Sequence, residues 1–329
     1  MSGSSAKTGG ITPTRLTILF LILSALSFAG CWLALSFGGE FIPPHRIADG
    51  GIIISKLRVP RIMADFMVGG GLSIVGLAFQ TYFRNPLAEP FTLGISGGAA
   101  VGVVLAMLIG AEFIFARQIF SFAFAALTVF AVYGFSGRFR SFSPSTLILG
   151  GVGLNFLFSA VISLVNSVMS EHFTKNLVLW YMGDTTLVGF NSAVISLIAV
   201  SLLSLLLYLD SARLNIYTLG DETAVNSGIS VTSLGKRIFL TGSAITAISV
   251  SLCGSIGFVG IVVPHIIKRF TGGDHRISMP FAFFMGGLFV AVTDTFFKTV
   301  FFPVEVPVGA VTALIGAPVF IRVLRREVL

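Results

Sequence analysis

LRVPRIMADFMVGGGLSIVGLAFQTYFRNPLAEP, residues 57–90, is the stretch on which the reading of the whole chain turns. Between Arg61 and Arg84 the only charge is Asp65. At about 1.5 Å per helical residue, that run is long enough to cross a hydrocarbon core of about 30 Å. Pro60 suits a first helical turn, and Asn85-Pro86 marks a stop. Gly69-Gly70-Gly71 in the middle lets a second backbone come close. The stretch therefore reads as a membrane-spanning helix that packs tightly on its neighbours.

Working outward, comparable apolar windows fall near 16–37, 62–83, 93–115, 118–135, 145–169 and 187–209, then near 238–256, 258–270, 278–302 and 307–324. Gly254, Gly257, Gly260 and Pro264 break up the pair formed by the seventh window and the short eighth one. The chain is 55% hydrophobic and 11% charged, against about 25% charged in an average soluble domain. The expectation is an all-α integral membrane protein of about ten transmembrane helices. Residues 1–15 read as a tail and 16–329 as one transmembrane domain.

The net charge of +7 does not indicate nucleic acid, because the basic residues sit in short loops between apolar windows. With both termini cytoplasmic, most lysines and arginines fall inside, among them Arg84, Arg213, Lys236, Arg237, Lys268 and Arg269. Arg46, Lys56, Arg58, Arg61, Arg117, Lys175 and Lys298 are left outside and call for another explanation. Phe28-Ala29-Gly30-Cys31 resembles the end of a lipoprotein signal, but Phe28 stands where Leu is usual, and the window reads as an uncleaved first span. Cys31 and Cys253 lie far apart in apolar segments and indicate neither a disulfide framework nor a metal knuckle.

Several chemistries have no residues to carry them. The sequence has no G-x-x-x-x-G-K-[ST] stretch, so any ATP hydrolysis belongs to a separate chain. His45, His172, His265 and His275 are scattered, and neither a metal site nor a catalytic constellation is expected. A proton- or sodium-driven carrier normally holds partnered charges deep in the bilayer. Here only Asp65 and Asp294 intrude, both toward span ends. A secondary carrier for a small solute is the alternative reading.

Four stretches are specific in combination. They are residues 57–61 running on to Arg84-Asn85-Pro86-Leu87-Ala88-Glu89-Pro90; Leu214-Asn215 through Gly220-Asp221-Glu222-Thr223-Ala224 to Gly228; Gly254 through Pro264-His265 to Asp274-His275-Arg276; and Glu305-Val306-Pro307-Val308-Gly309 through Gly316-Ala317-Pro318. Together, over roughly residues 55–326, these resemble the permease family of type II ABC importers for iron-siderophores, haem and cobalamin. That resemblance implies a subunit of the bacterial or archaeal cytoplasmic membrane that is not itself an enzyme and binds no cofactor of its own. ATP and Mg would be used by a partner ATPase dimer. An extracytoplasmic substrate-binding protein would deliver cargo, and a second copy or a paralogous permease would complete the pathway.

The resemblance also implies roles for particular residues. Arg58, Arg61 and Lys298 match basic positions that dock the binding protein, which would account for the outside positive charge; lipid-headgroup anchoring is the other reading. Lys298 stands where Arg is usual, and its point charge lacks the bidentate fork. Asp65 stands one helical turn from Arg61, where the family carries a small or apolar residue, and an i,i+4 pair would partly neutralise that arginine. Asp221, Glu222, Ala224 and Gly228 match a coupling loop, at about 213–236, that inserts short helices into the ATPase. Asn85, Leu87, Ser143, Pro144 and Ser145 resemble cytoplasmic gate positions, and Asn155 belongs to a pathway-lining fifth span. Asn155, Ser159 and Asn166 can equally hydrogen-bond between helices.

Overall fold

The triple glycine of the opening stretch lies at the centre of the molecule. The computed structural model describes residues 13–49, 51–111, 115–138, 143–186 and 188–328. The helices are α1 (Pro13–Ser36), α2 (Val59–Tyr82), α3 (Ile95–Leu108), α4 (Ala116–Arg138), α5 (Pro144–Val168), α6 (Glu171–Tyr181) and α7 (Phe190–Leu209). They continue with α8 (Ser211–Tyr217), α9 (Asp221–Asn226), α10 (Val231–Cys253), α11 (Val259–Thr271), α12 (His275–Val300) and α13 (Val308–Val328). Each of the ten apolar windows becomes a helix. By length and composition, α1, α2, α4, α5, α7, α10 and α12 are able to cross a membrane, whereas α3, α11 and the apolar part of α13 are shorter. Residues 1–12 of the expected tail lie outside the described residues.

Helix α2 is buried except for Val59, Met63 and Phe66, which form one stripe along its first turns. Its glycines explain why neighbours surround it so closely. A Cβ on Gly69 would run into the carbonyl of Gly286 in α12, and one on Gly76 into the backbone of Gly260 in α11. Where backbones touch in this way, dispersion and small residues replace the water-driven association that lipid cannot supply.

Helix α10 ends at Gly254, whose φ of 70° is open to glycine. The chain then runs irregularly to Phe258 and restarts as α11, which meets α2 at Gly76, partway along that helix. Helix α11 has 13 residues, about 20 Å by helical rise, so it is a half-span whose irregular lead-in is buried in protein. Gly254 and Gly257 fall in this break as expected, whereas Gly260 and Pro264, expected to interrupt the chain as well, lie inside α11. Helix α6 was not among the expected windows; Ser170 caps it by accepting from Phe173 N.

Two helices stand at the margin. Along α1, the buried residues are Leu23, Ser27, Ala34 and Ser36, and its main neighbour is α12. Helix α5 buries only Leu147 and Gly151. The end of the bundle that carries α8 and α9 is called the loop end below, and the opposite end the arginine end.

Candidate functional site

At the arginine end, Pro60 opens α2 and a widened turn, Ile53–Arg58, leads into it. This places Arg58 and Arg61 on the first turns, where both are buried. Arg61 makes a two-pronged ion pair with Asp294 of α12, Nε to Oδ2 at 2.6 Å and Nη2 to Oδ1 at 2.8 Å. Its third nitrogen, Nη1, donates to Glu305 Oε2 at 3.0 Å in the α12–α13 turn. One guanidinium thus ties three elements together, with the bidentate geometry that makes such a pair strong when water is excluded. Arg58 Nη1 donates to Leu35 O at 2.6 Å, a carbonyl left open in the last turn of α1, and Nη2 donates to Glu40 O in the segment that follows. Lys298, one turn beyond Asp294, is half-exposed.

Two sequence expectations meet this geometry differently. Arg58 and Arg61 turn inward to internal partners, so only Lys298 of the three basic residues presents a partly free cation. The expected pairing of Asp65 with Arg61 is not formed. Asp65 is fully buried, and neither of its oxygens has a partner at hydrogen-bonding geometry. Arg61 takes the carboxylates that reach it from other elements instead.

The neighbouring turns close this end. Asp184 accepts from Thr186 N at 2.8 Å and from the Thr186 hydroxyl, which also faces Glu305 at 3.4 Å. Asp184 N donates to Cys253 O at 2.7 Å, joining the α6–α7 turn to the end of α10. Gly309 N donates to Gly183 O at 3.3 Å, and a side chain on Gly309 would strike the carbonyls of Met182 and Ser255.

At the loop end, α8 and α9 form a bent pair joined at Gly220, whose φ is 120°. Ala224 is fully buried against the body, which anchors α9 and turns the rest of it outward. Asp221 pairs with Arg84 at 2.6 Å, and Arg84 lies 4.6 Å over the ring of Tyr217. Burial pushes the Tyr217 phenol above its ordinary range, and that hydroxyl donates to Tyr82 O at 3.1 Å. Glu222, Leu219 and Val225 are exposed. Gly228 has φ 77° with open space where a Cβ would go, so its backbone conformation, not crowding within this chain, is what calls for glycine. Ala224, matched to the coupling motif, faces the core and cannot itself touch a partner.

A second network holds the loop to the spans. Asn215 Oδ1 accepts from His275 N at 2.8 Å and lies 2.7 Å from His275 Nδ1, while Asn215 Nδ2 donates to Asp274 at 2.6 Å. His275 Nε2 lies 2.7 Å from Thr81 Oγ1 in the last turn of α2.

The expected gate residues have local partners. Asn85 Oδ1 accepts from Leu87 N at 2.9 Å, an Asx turn that ends the α2 exit. Ser143 caps α5 through Thr146 N at 3.3 Å, with Pro144 at the first helical position and Ser145 exposed 3.2 Å from the cap oxygen. Asn155 abuts α3, its Oδ1 close to Gly97. Ser159 and Asn166 instead line a cavity of about 320 Å³ with Gly97, Ser163 and Tyr181.

Asp294, Glu305 and the joining of Asn215, at the start of the coupling loop, to His275 and Thr81 are functional features that the motifs do not reveal. Asp294 was visible as one of two acids intruding into apolar windows, and Arg61 as a cation at the rim of another. Their pairing across 233 positions needed the fold.

Thirteen helices among the described residues, seven of them long and apolar enough to cross a membrane, are glycine-packed around a buried α2 and broken between α10 and α11, and they define a multi-pass membrane protein of the permease type. The chain belongs to the FecCD transport family, whose model matches residues 16–326. It is 37% identical over 280 residues to the uncharacterized ABC transporter permease protein YvrB of Bacillus subtilis, spanning 84% of this chain and 79% of that one. It is 36% identical to the cobalamin import system permease protein BtuC of Halobacterium salinarum, over 84% and 74% of the two chains. With the probable iron chelatin transport system permease protein of Helicobacter pylori it shares 32% identity over 89% of each. A solved inward-facing conformation of a metal-chelate type ABC transporter superposes with TM-score 0.83 at 28% identity, covering 94% of this chain and 99% of that one. The setting is a bacterial or archaeal inner membrane.

Proposed function

We propose that this chain is the permease subunit of an ATP-driven importer carrying an iron chelate, as siderophore or haem, or cobalamin. The observation that carries the reading is the α8–α9 pair. Ala224, Asn215 and the Arg84–Asp221 bridge hold it to the spans, while Glu222, Leu219 and Val225 form an exposed edge. A rigid, anchored projection of this kind suits force transfer from a peripheral ATPase dimer, which would use ATP and Mg. In this reading the loop end is cytoplasmic, as the clustering of Arg84, Arg213, Lys236, Arg237 and Lys268 there favours.

The arginine end then faces an extracytoplasmic binding protein. Lys298 meets its acidic groups, and Arg58 and Arg61 hold the docking surface in shape. The nearly uncovered α5 packs against a second permease, identical or paralogous, and the pathway runs between them. Asn85, Leu87 and Ser143–Ser145 border its cytoplasmic exit, and the cavity beside Ser159 and Asn166 lies toward the other end of α5, against α6. We assign the present arrangement the inward-facing state named for the solved metal-chelate type transporter.

Purification of the detergent-solubilised chain from its native membrane, with mass spectrometry of the proteins that accompany it, tests the reading. Recovery of a Walker-motif ATPase is the expected result, and the ligand of an accompanying binding protein would name the cargo. Reproducible absence of any ATPase would replace the importer with a secondary carrier.

A further inference from the structure

Asp65 is the least explained residue in the molecule. It lies one turn and a half inside α2, is fully buried, and has two carboxylate oxygens without a partner at hydrogen-bonding geometry. Thr185 of the α6–α7 turn and Asp294 of α12 are its side-chain neighbours, though neither meets its oxygens at full hydrogen-bonding geometry and the Thr185 hydroxyl is itself buried. Burying a polar group without a bond is costly, and a carboxylate more so. Arg61 and Asp294 both lie within electrostatic reach of it, and yet Arg61 gives all its bonds at this site to Asp294 and Glu305.

The positions of the two acceptors differ in one respect that matters. Asp294 and Glu305 belong to α12 and the turn after it, whereas Asp65 rides on the same helix as Arg61, four residues on. Any movement that parts the outer ends of α2 and α12 strips Arg61 of both present partners, and leaves it beside Asp65. A buried cation that loses its partners is strongly destabilising unless another acceptor is waiting.

We propose that Asp65 is the second seat of Arg61. With the arginine end closed, Arg61 sits on Asp294 and Glu305, and Asp65 is left to its weak contacts with Thr185 and Asp294. With that end open, Arg61 sits on Asp65 and the Thr185 hydroxyl is released or donates to the same carboxylate. The switch lets α2 and α12 part without leaving a guanidinium unpaired, and makes Asp65 a positioning residue for the transport cycle. This rests on the importer reading only in assuming that the end alternates.

The test uses the full chain with the proteins that co-purify with it, reconstituted in lipid. Spin labels at Ile52→Cys and Val304→Cys, both exposed at the arginine end, go into a transport-competent Cys31→Ala, Cys253→Ala background. Pulsed electron spin resonance then reads a short and a long distance. Asp65→Asn should deplete the long-distance population several-fold, and Asp294→Asn should enrich it. Asp65→Asn should also melt no lower than its parent while importing several-fold more slowly.

Equal ratios in Asp65→Asn and its parent, or a shift of the two variants in the same direction, would overturn the switch. So would a lower melting temperature with transport lost in proportion, which would make Asp65 structural. If Asp65→Asn does not insert, Asp65→Glu, which keeps the charge, should restore both populations; a single short distance in Asp65→Glu overturns the proposal too. Loss of the importer reading shows separately, as an ATPase missing from the purified complex, and leaves the comparison of distances intact.

Discussion

Asn215 and His275 meet twice: the Asn215 carboxamide oxygen accepts from the His275 backbone N at 2.8 Å and stands 2.7 Å from its ring Nδ1. With Asp274 on the other side of the amide and Thr81 against the far ring nitrogen, this contact links α8 to the first turn of α12 and the last turn of α2. Those two helices are the ones that Arg61 and Asp294 join at the opposite end.

Asn215→Ala therefore removes the shared acceptor while leaving α8 in place. The buried His275 and the half-buried Asp274 lose their partner, which costs about 1–3 kcal/mol. A lower melting temperature in detergent is expected, together with ATP hydrolysis that continues while uptake falls. Equal loss of hydrolysis and uptake would mean that the contact serves folding alone.

The Arg84–Asp221 bridge at 2.6 Å is exposed on both sides, so its worth in stability is about 0.2–1 kcal/mol. Glu222→Lys, beside it and exposed, is expected to leave melting unchanged but to uncouple uptake from hydrolysis. Gly228→Ala places a side chain at φ 77°, costing roughly 1–2 kcal/mol of strain despite the open space around it. Thermal melts and transport assays of the two variants separate the partner-facing residue from the conformational one; unchanged uptake in both removes the coupling assignment.

Much of this architecture was legible in the sequence. The ten apolar windows became helices because bilayer-length runs leave the backbone one way to satisfy its own hydrogen bonds. The break after α10 fell where it was read, because Gly254 takes a positive φ; the second positive φ there, at Phe258, carries no glycine to announce it. What the sequence did not disclose is partnership. Arg58 looks like an outward cation until Leu35 and Glu40 are seen to take its bonds. Asp65 looks like the partner of Arg61 by spacing alone, and loses it to a residue from another helix. Ala224 looks like a contact residue and is an anchor. Charges near span ends have several candidate acceptors, and only the packing of α2 on α12 chooses among them.

That packing is itself open to test. A Cβ on Gly76 would overlap the backbone of Gly260, whereas Gly257, with no neighbour near its Cβ position, is free. Gly76→Ala forces α2 and α11 apart and is expected to cost about 1–3 kcal/mol, possible only by backbone shifts. Gly257→Ala should be close to neutral. Parallel thermal melts of the two proteins in detergent decide this; equal melting temperatures would show that α11 does not press on α2.

Glu89, between α2 and α3, gives a prediction in pH. Burial pushes its carboxyl from 4.5 up to about 6, with the Phe258 backbone N–H drawing it partly back. The folded chain therefore favours the protonated acid more than the unfolded chain does. The sign follows: the contribution is fully present below pH 4.5, declines between 4.5 and about 6, and is lost above, to the extent of about 2 kcal/mol at most. Glu89→Gln keeps the shape without the charge, so it should melt higher than the parent at pH 8 and match it near pH 4. Melting curves across that range test the assignment directly, since a variant with the same pH slope as its parent would show that the slope arises from another group.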